Sequence, residues 1–138
     1  SKKVKKLMPL ILVTALVGCA TGEVLKLEYG PPPTEYETKI KNYLDRSLKD
    51  RDSLRDFKVL TTPKKGALNY GAFEKGPTGK SFSNQMWYVC AEYNAKNSYG
   101  GYVGIKTYAY FFFNNKIERV ILGSIGGGDL GNTVYNCN

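Results

Sequence analysis

The side chains best suited to chemistry in this chain fall close together: Asn94, Lys96, Asn97, Tyr99 and Tyr102, within the run Asn94-Ala95-Lys96-Asn97-Ser98-Tyr99-Gly100-Gly101-Tyr102-Val103-Gly104. Two tyrosine rings set among three glycines, with amide and ammonium donors beside them, can stack on a sugar ring or pack against a partner protein. The same run also reads as an ordinary loop between strands, in which the glycines meet backbone angles and the tyrosines close over the end of a core. Both readings stay open at this level. The exclusions are sharper. The chain has no histidine, which removes the commonest general base, the commonest zinc ligand and the Ser–His and Cys–His nucleophile pairs.

Other candidate groups are thinner. Glu74, Glu92 and Asp129 are carboxylates that could pair across a glycosidic bond, but nothing in their spacing singles them out. Gly126-Gly127-Gly128-Asp129 has the glycines of a phosphate-cradling loop without the Lys-Ser/Thr that completes one, and no helix pattern follows it. No catalytic set, cofactor or metal site is expected.

The cysteines carry more information. Lys2, Lys3, Lys5 and Lys6 precede the apolar run Leu7 to Val17, and Leu16-Val17-Gly18-Cys19 closes it. At about 1.5 Å per residue that run spans roughly 17 Å as a helix, short of the ~20 residues a membrane crossing needs. Residues 1–18 therefore read as an export signal. The ending resembles the lipobox of bacterial lipoproteins. That resemblance implies diacylation of the Cys19 sulfur, cleavage before it, and a protein held to the membrane by lipid. Ala20 in place of the aspartate that retains enterobacterial lipoproteins at the inner membrane implies the outer membrane, facing the periplasm or the cell surface. Cys90 and Cys137 remain as a pair. In an oxidising compartment a disulfide between them is expected in preference to two thiols, and it would tie the glycine-rich C-terminus to a strand.

Without residues 1–18 the chain is one domain of ordinary size. Four of its 20 basic residues and none of its 12 acidic ones lie in the signal, so the net charge falls from +8 to +4. The remaining charges alternate in sign (Asp45-Arg46, Lys49-Asp50-Arg51-Asp52, Arg55-Asp56-Lys58) in the manner of a solvated face, and no basic stripe with aromatics points to nucleic acid.

These residues need elements to hold them. Residues 19–33 read as a lipidated cysteine and a tether ending in Pro31-Pro32-Pro33, followed by a single domain over 34–138. Thr34 with Glu37 matches a capping box, and Tyr36, Ile40, Tyr43, Leu44 and Leu48 recur at helical spacing, which predicts a helix over 35–49. Asp52 or Ser53 is placed to cap one further turn. Strands are predicted at Phe57–Thr62, Ala67–Phe73, Met86–Asn94, Ile105–Phe113 and Ile117–Leu122, with an Asn114-Asn115 turn joining the last two as a hairpin. Aromatics on both faces of 110–113 predict that neither face there is open to solvent. Residues 123–138 read as loose apart from Cys137.

The run Val89 to Gly104, together with Leu48-Lys49-Asp50-Arg51-Asp52-Ser53, resembles a group of small uncharacterised bacterial and phage-borne exported proteins with a DPDS-like helix end and a CGEVNAKNSYGGYxG-like strand and loop. The likeness covers residues 40 to 113. It departs at Arg51, Ala91 and Tyr93, where the pattern has proline, glycine and valine. That group implies no activity. In architecture the chain is also similar to small lipoproteins of outer-membrane assembly. The expected fold is α+β, an N-terminal helix packed on an antiparallel meander of three to five strands. The expected function is that of a membrane-anchored, non-enzymatic interaction or structural protein with an envelope protein partner. The alternative is a small module binding envelope carbohydrate or peptide through residues 97–104.

Overall fold

The computed structural model describes residues 29–123 and 133–138. Cys19, the signal segment and Gly126 to Asp129 lie outside the described residues. The chain divides between Gly30 and Pro31, and the fold is that of residues 31–138. It is α+β: helix α1 (Tyr36–Ser47), a 3-10 turn (Arg51–Ser53), and strands β1 (Arg55–Val59), β2 (Lys64–Leu68), β3 (Asn84–Asn94), β4 (Lys106–Phe113) and β5 (Lys116–Leu122) in one antiparallel sheet.

The helix opens this unit but stands inside the chain, not at its N-terminus, and the sheet departs from a plain meander. β1 and β2 both pair with β3, β1 over Ala91–Asn94 and β2 over Asn84–Tyr88. They form one bent edge. Past β1 the Leu60 N–H still donates to the Cys90 carbonyl at 2.8 Å, and Thr61 Oγ1 takes over the return bond by accepting the Cys90 N–H at 3.0 Å, ahead of Pro63 and β2. The first half is bulged as well, with Asp56 in the left-handed region at φ 58° between Arg55 and Lys58. β3, β4 and β5 then follow as sequential antiparallel neighbours. Asn114 and Asn115 turn β4 into β5 with φ of 50° and 64°, the left-handed pair that a two-residue hairpin requires.

Both faces of the sheet are covered. Ile40 and Leu44, four residues apart on α1, pack on Val89, Ala91, Tyr110 and Phe112, and Tyr43 meets Tyr110 edge to face at 6.0 Å. The opposite face (Met86, Tyr88, Cys90, Ala109 and Phe111) is closed by Tyr135 and Cys137. Residues 133–138, expected to be loose, are strapped down. Ala67 and Val134 exchange backbone bonds of 3.0 and 2.8 Å, the Asn136 N–H donates to the Tyr88 hydroxyl at 3.0 Å, and the Tyr135 hydroxyl donates to the Leu122 carbonyl at 3.1 Å. Cys90 and Cys137 form the disulfide, with Cα atoms 5.6 Å apart.

The expected capping box does not form. Glu35, in the left-handed region, occupies the cap position of α1 with no side-chain bond. Thr34 instead pairs with Asn115: its N–H donates to Asn115 Oδ1 at 2.9 Å, and its Oγ1 accepts from Asn115 Nδ2 at 3.1 Å. A local cap has lost here to a reciprocal amide pair with the β4–β5 turn. Asp52 and Ser53 lie within the 3-10 turn rather than capping it, and the Ser53 hydroxyl donates to the Asp50 carbonyl while accepting the Lys96 N–H.

Candidate functional site

The β3–β4 connection, residues 95–105, leaves the sheet where β3 ends and β4 begins. The Asn114-Asn115 turn and Thr34 stand at the other end of β4, about 23 Å away at a strand rise of about 3.3 Å per residue. α1 runs between the two ends: it starts beside Thr34, and Lys49 just beyond it donates to Ser98 Oγ at 3.1 Å. The domain thus has an entry end, where the chain arrives, and a loop end.

At the loop end the side chains divide into those that build the loop and those it presents. Asn97 is a builder. Its Oδ1 accepts the N–H groups of Tyr99 (2.9 Å) and Gly101 (3.1 Å), its own N–H donates to the Gly101 carbonyl (2.8 Å), and its carbonyl accepts the Gly100 N–H (3.1 Å). Asn94, buried at the end of β3, is the second builder, its Oδ1 accepting the Gly104 N–H at 3.0 Å. Both amide oxygens are thus committed to the loop as acceptors, while the role expected of these side chains toward a ligand is that of donor through Nδ2. Gly100 and Gly104 have φ of 84° and 94°, values that favour glycine. Gly101 does not share that constraint: its φ is outside the left-handed region and a Cβ there would meet open space.

The presented groups are Tyr99, Tyr102, Val103 and Ile105. Tyr99 is 96% exposed, Ile105 54%, Val103 48% and Tyr102 36%. The expectation that the tyrosines close over the core is thus not met for Tyr99. Tyr102 is the anchored ring, with the Arg55 guanidinium 3.4 Å and the Lys96 ammonium 5.6 Å from its centroid. The Lys96 and Tyr102 backbones also pair as an isolated bridge. Lys96 therefore holds the loop as well as presenting a charge.

Beside the loop lies a cavity of about 120 Å³ whose lining includes Tyr93, Lys96, Asn97, Val103, Lys106 and Tyr108. Its floor is a stacked pair: the Tyr93 and Tyr108 rings lie 5.4 Å apart and 19° from parallel. Burial, with Tyr108 beside it, holds the Tyr93 phenol well above the usual tyrosine range, so Tyr93 is a neutral hydrogen-bonding group at any physiological pH. Aromatic and aliphatic side chains share the lining about equally with polar groups, among them the side chains of Lys96, Asn97 and Lys106.

Of the carboxylates considered from the sequence, Asp129 lies outside the described residues, and Glu74 and Glu92 belong to opposite ends of β3. Glu92 sits near the loop end of β3, opposite Lys58 and Thr107, and Glu74 lies in the connection that leads to the start of β3. Among the described residues no three of His, Cys, Asp and Glu gather as a metal-ligand group. Sequence reasoning missed Arg55 and Ile105 as members of the loop end, and Val103, inside the loop, as a presented side chain. Arg55 read as one more charge in an alternating run and Ile105 as the first residue of a strand, and only the β1–β3 register brings Arg55 opposite Asn94 and beneath Tyr102.

Comparison with protein-family models, with curated proteins and with solved structures gave no match.

Proposed function

We propose that this chain is a lipid-anchored protein of the bacterial envelope, held in the outer membrane through Cys19, whose domain is a non-enzymatic interaction module with the Tyr99 loop as its contact surface. The anchor rests on the sequence pattern of four lysines, a short apolar run and Gly18-Cys19. One observation carries the contact surface: a 96% exposed tyrosine on a loop fixed by side-chain bonds from Asn97 and Asn94. A rigid exposed aromatic loses little conformational freedom on binding and brings a large apolar area, which is why tyrosine is enriched in contact surfaces. Val103 and Ile105 widen the patch.

The direct test replaces Tyr99 by a photo-crosslinking phenylalanine analogue in cells and irradiates them. The proposal expects a discrete adduct at position 99 and none when the same analogue replaces Lys41, an exposed residue of α1 paired with Glu37. Absence of any adduct from position 99, with normal levels of the protein, contradicts it.

The cavity beside the loop favours a second reading, a module that binds envelope carbohydrate or peptide. A ring seated on the Tyr93–Tyr108 floor would find Lys96 and Asn97 at its edge. Titration with soluble cell-wall oligosaccharides separates the readings, since this one expects saturable shifts of Tyr93 and Tyr108 resonances.

A further inference from the structure

The entry end of the domain carries a feature that the contact loop does not use. Between α1 and the start of β5 lies a groove of about 350 Å³ lined by Lys39, Asn42, Tyr43, Arg46, Asn115, Lys116 and Ile117. It holds three cations and no acid. Lys39, Asn42 or Tyr43, and Arg46 follow the three-to-four-residue spacing that places them on one side of a helix, while Lys116 comes from the strand opposite. Two acids of α1 are engaged elsewhere, Glu37 with Lys41 at 3.1 Å and Asp45 with Arg51 at 3.4 Å.

The groove is also fixed in place. Lys39 Nζ donates to the Thr34 carbonyl at 2.7 Å and to Asn115 Oδ1 at 2.8 Å, which leaves its third proton for a further acceptor. Asn115 is itself locked by its two bonds with Thr34. The Arg46 and Lys116 side chains make no hydrogen bond or ion pair among the described residues. Like charges gathered with no acid among the described lining residues repel one another, and an anion in the groove would relieve that repulsion.

The position of the groove selects which anion. Thr34, bonded to the groove's own Asn115, is where the chain enters the fold from the N-terminal side, and only 15 residues separate it from Cys19. Even fully extended at about 3.5 Å per residue, that segment keeps the entry end within roughly 50 Å of an anchored Cys19. The same end of the sheet carries the β2–β3 connection, which leads into Asn84 and exposes Phe73 and Phe82 together with Lys75 and Lys80. Exposed rings interleaved with lysines suit the boundary between headgroups and acyl chains.

We propose that the entry end is a second, direct membrane contact, in which Lys39, Arg46 and Lys116 take the phosphodiester of an anionic phospholipid headgroup while Phe82 and Phe73 rest in the interface. The choice of a lipid as the source of the anion rests on the lipid-anchor reading. The contact orients the domain: with the entry end on the bilayer, the Tyr99 loop points away from it.

The acylated mature chain, reconstituted in nanodiscs of phosphatidylcholine with or without phosphatidylglycerol, allows a test in which the anchor is constant and only the headgroup varies. Hydrogen exchange should slow several-fold at residues 114–117 and 42–47 in the discs containing phosphatidylglycerol and not in the others. High salt should abolish the difference, because each cation contributes roughly fivefold to partition toward an anionic surface and is screened by salt. Arg46→Gln with Lys116→Gln, two side chains that hold no part of the fold, should remove most of the protection while the melting temperature stays put. Equal exchange in both discs, or protection that survives the double substitution, overturns the proposal. Protection reproduced by inorganic phosphate over phosphatidylcholine discs assigns the groove to free anions and overturns the lipid contact. Failure of the anchor reading shows separately, as a Cys19 without acyl mass.

Discussion

The Arg55 guanidinium lies 3.4 Å from the centroid of the Tyr102 ring, joining the first strand of the sheet to the loop that projects from its far side. A cation over an aromatic face is worth about 0.5–2 kcal/mol according to its exposure. Arg55→Ala and Tyr102→Leu should each lower stability by about 1 kcal/mol. In a double-mutant cycle followed by denaturant unfolding their effects should fall short of additivity, because one contact is lost in both. Strict additivity would mean that the pair does not hold the loop.

The Tyr110 hydroxyl is buried with no hydrogen-bond partner among the described residues, and burial together with Tyr93, Tyr108 and Tyr43 around it raises its pKa far above the normal tyrosine range. A buried polar group without a partner destabilises by about 1–3 kcal/mol. Tyr110→Phe keeps the ring and its edge contact with Tyr43 while removing that group. It should therefore raise the melting temperature, where most changes at a fully buried position lower it. A fall of more than about 1 kcal/mol would show that the hydroxyl is satisfied.

Tyr70, Tyr93 and Tyr110 all have raised pKa values, each with burial as the leading cause. In the unfolded chain these phenols lose their protons near pH 10. In the fold they keep them to higher pH, so above about pH 10 the native state binds more protons than the unfolded one and stability falls as pH rises. Tyrosinate absorbance of the folded protein should show part of the 11 tyrosines resisting titration until a cooperative alkaline unfolding. A smooth titration of all of them near pH 10 without unfolding would contradict the burial.

The Cys90–Cys137 bridge closes a loop of 47 residues, a constraint worth about 4 kcal/mol in the chain-entropy account. It fastens residues 133–138 over the Tyr88 and Phe111 face. Reduction, or Cys90→Ala with Cys137→Ala, should lower stability by about that amount and release the C-terminal segment to proteolysis. Gly123→Ala should act on the same joint, because a Cβ at Gly123 would lie 2.7 Å from Cys137 Sγ. Non-reducing peptide mass analysis of the native protein checks the bridge itself.

Local features of this fold were legible and long-range ones were not. The Tyr36, Ile40, Tyr43 and Leu44 spacing marks α1 because a helix repeats every three to four residues, and Ile40 and Leu44 are its buried pair. Asn114-Asn115 marks the hairpin because few other residues accept two successive positive φ values. The aromatics of β4 gave away a sheet covered on both sides, which Tyr110, Phe111 and Phe112 fulfil. By contrast, the Thr34 cap failed because Asn115, 81 residues away, offers a better partner than the adjacent backbone. The split of one sheet edge into β1 and β2 depends on register against β3. Arg55 under Tyr102 depends on the same register, and no local pattern announces it. At the candidate site the sequence located the loop but not its division of labour, since no local pattern announces that the Asn94 and Asn97 oxygens accept from Gly104, Tyr99 and Gly101 and so build the loop.

Tyr99→Ser, followed by capture from solubilised envelope fractions and a thermal melt on the same acylated protein, decides whether the loop is a contact surface. Tyr99 is almost wholly exposed, so its loss should change stability by no more than about 0.5 kcal/mol. The account predicts that the wild type retains a discrete envelope component that Tyr99→Ser loses, at an unchanged melting temperature. Retention of the same component by Tyr99→Ser at full strength would contradict it, and the loop would then be a covering of the sheet end with no contact role.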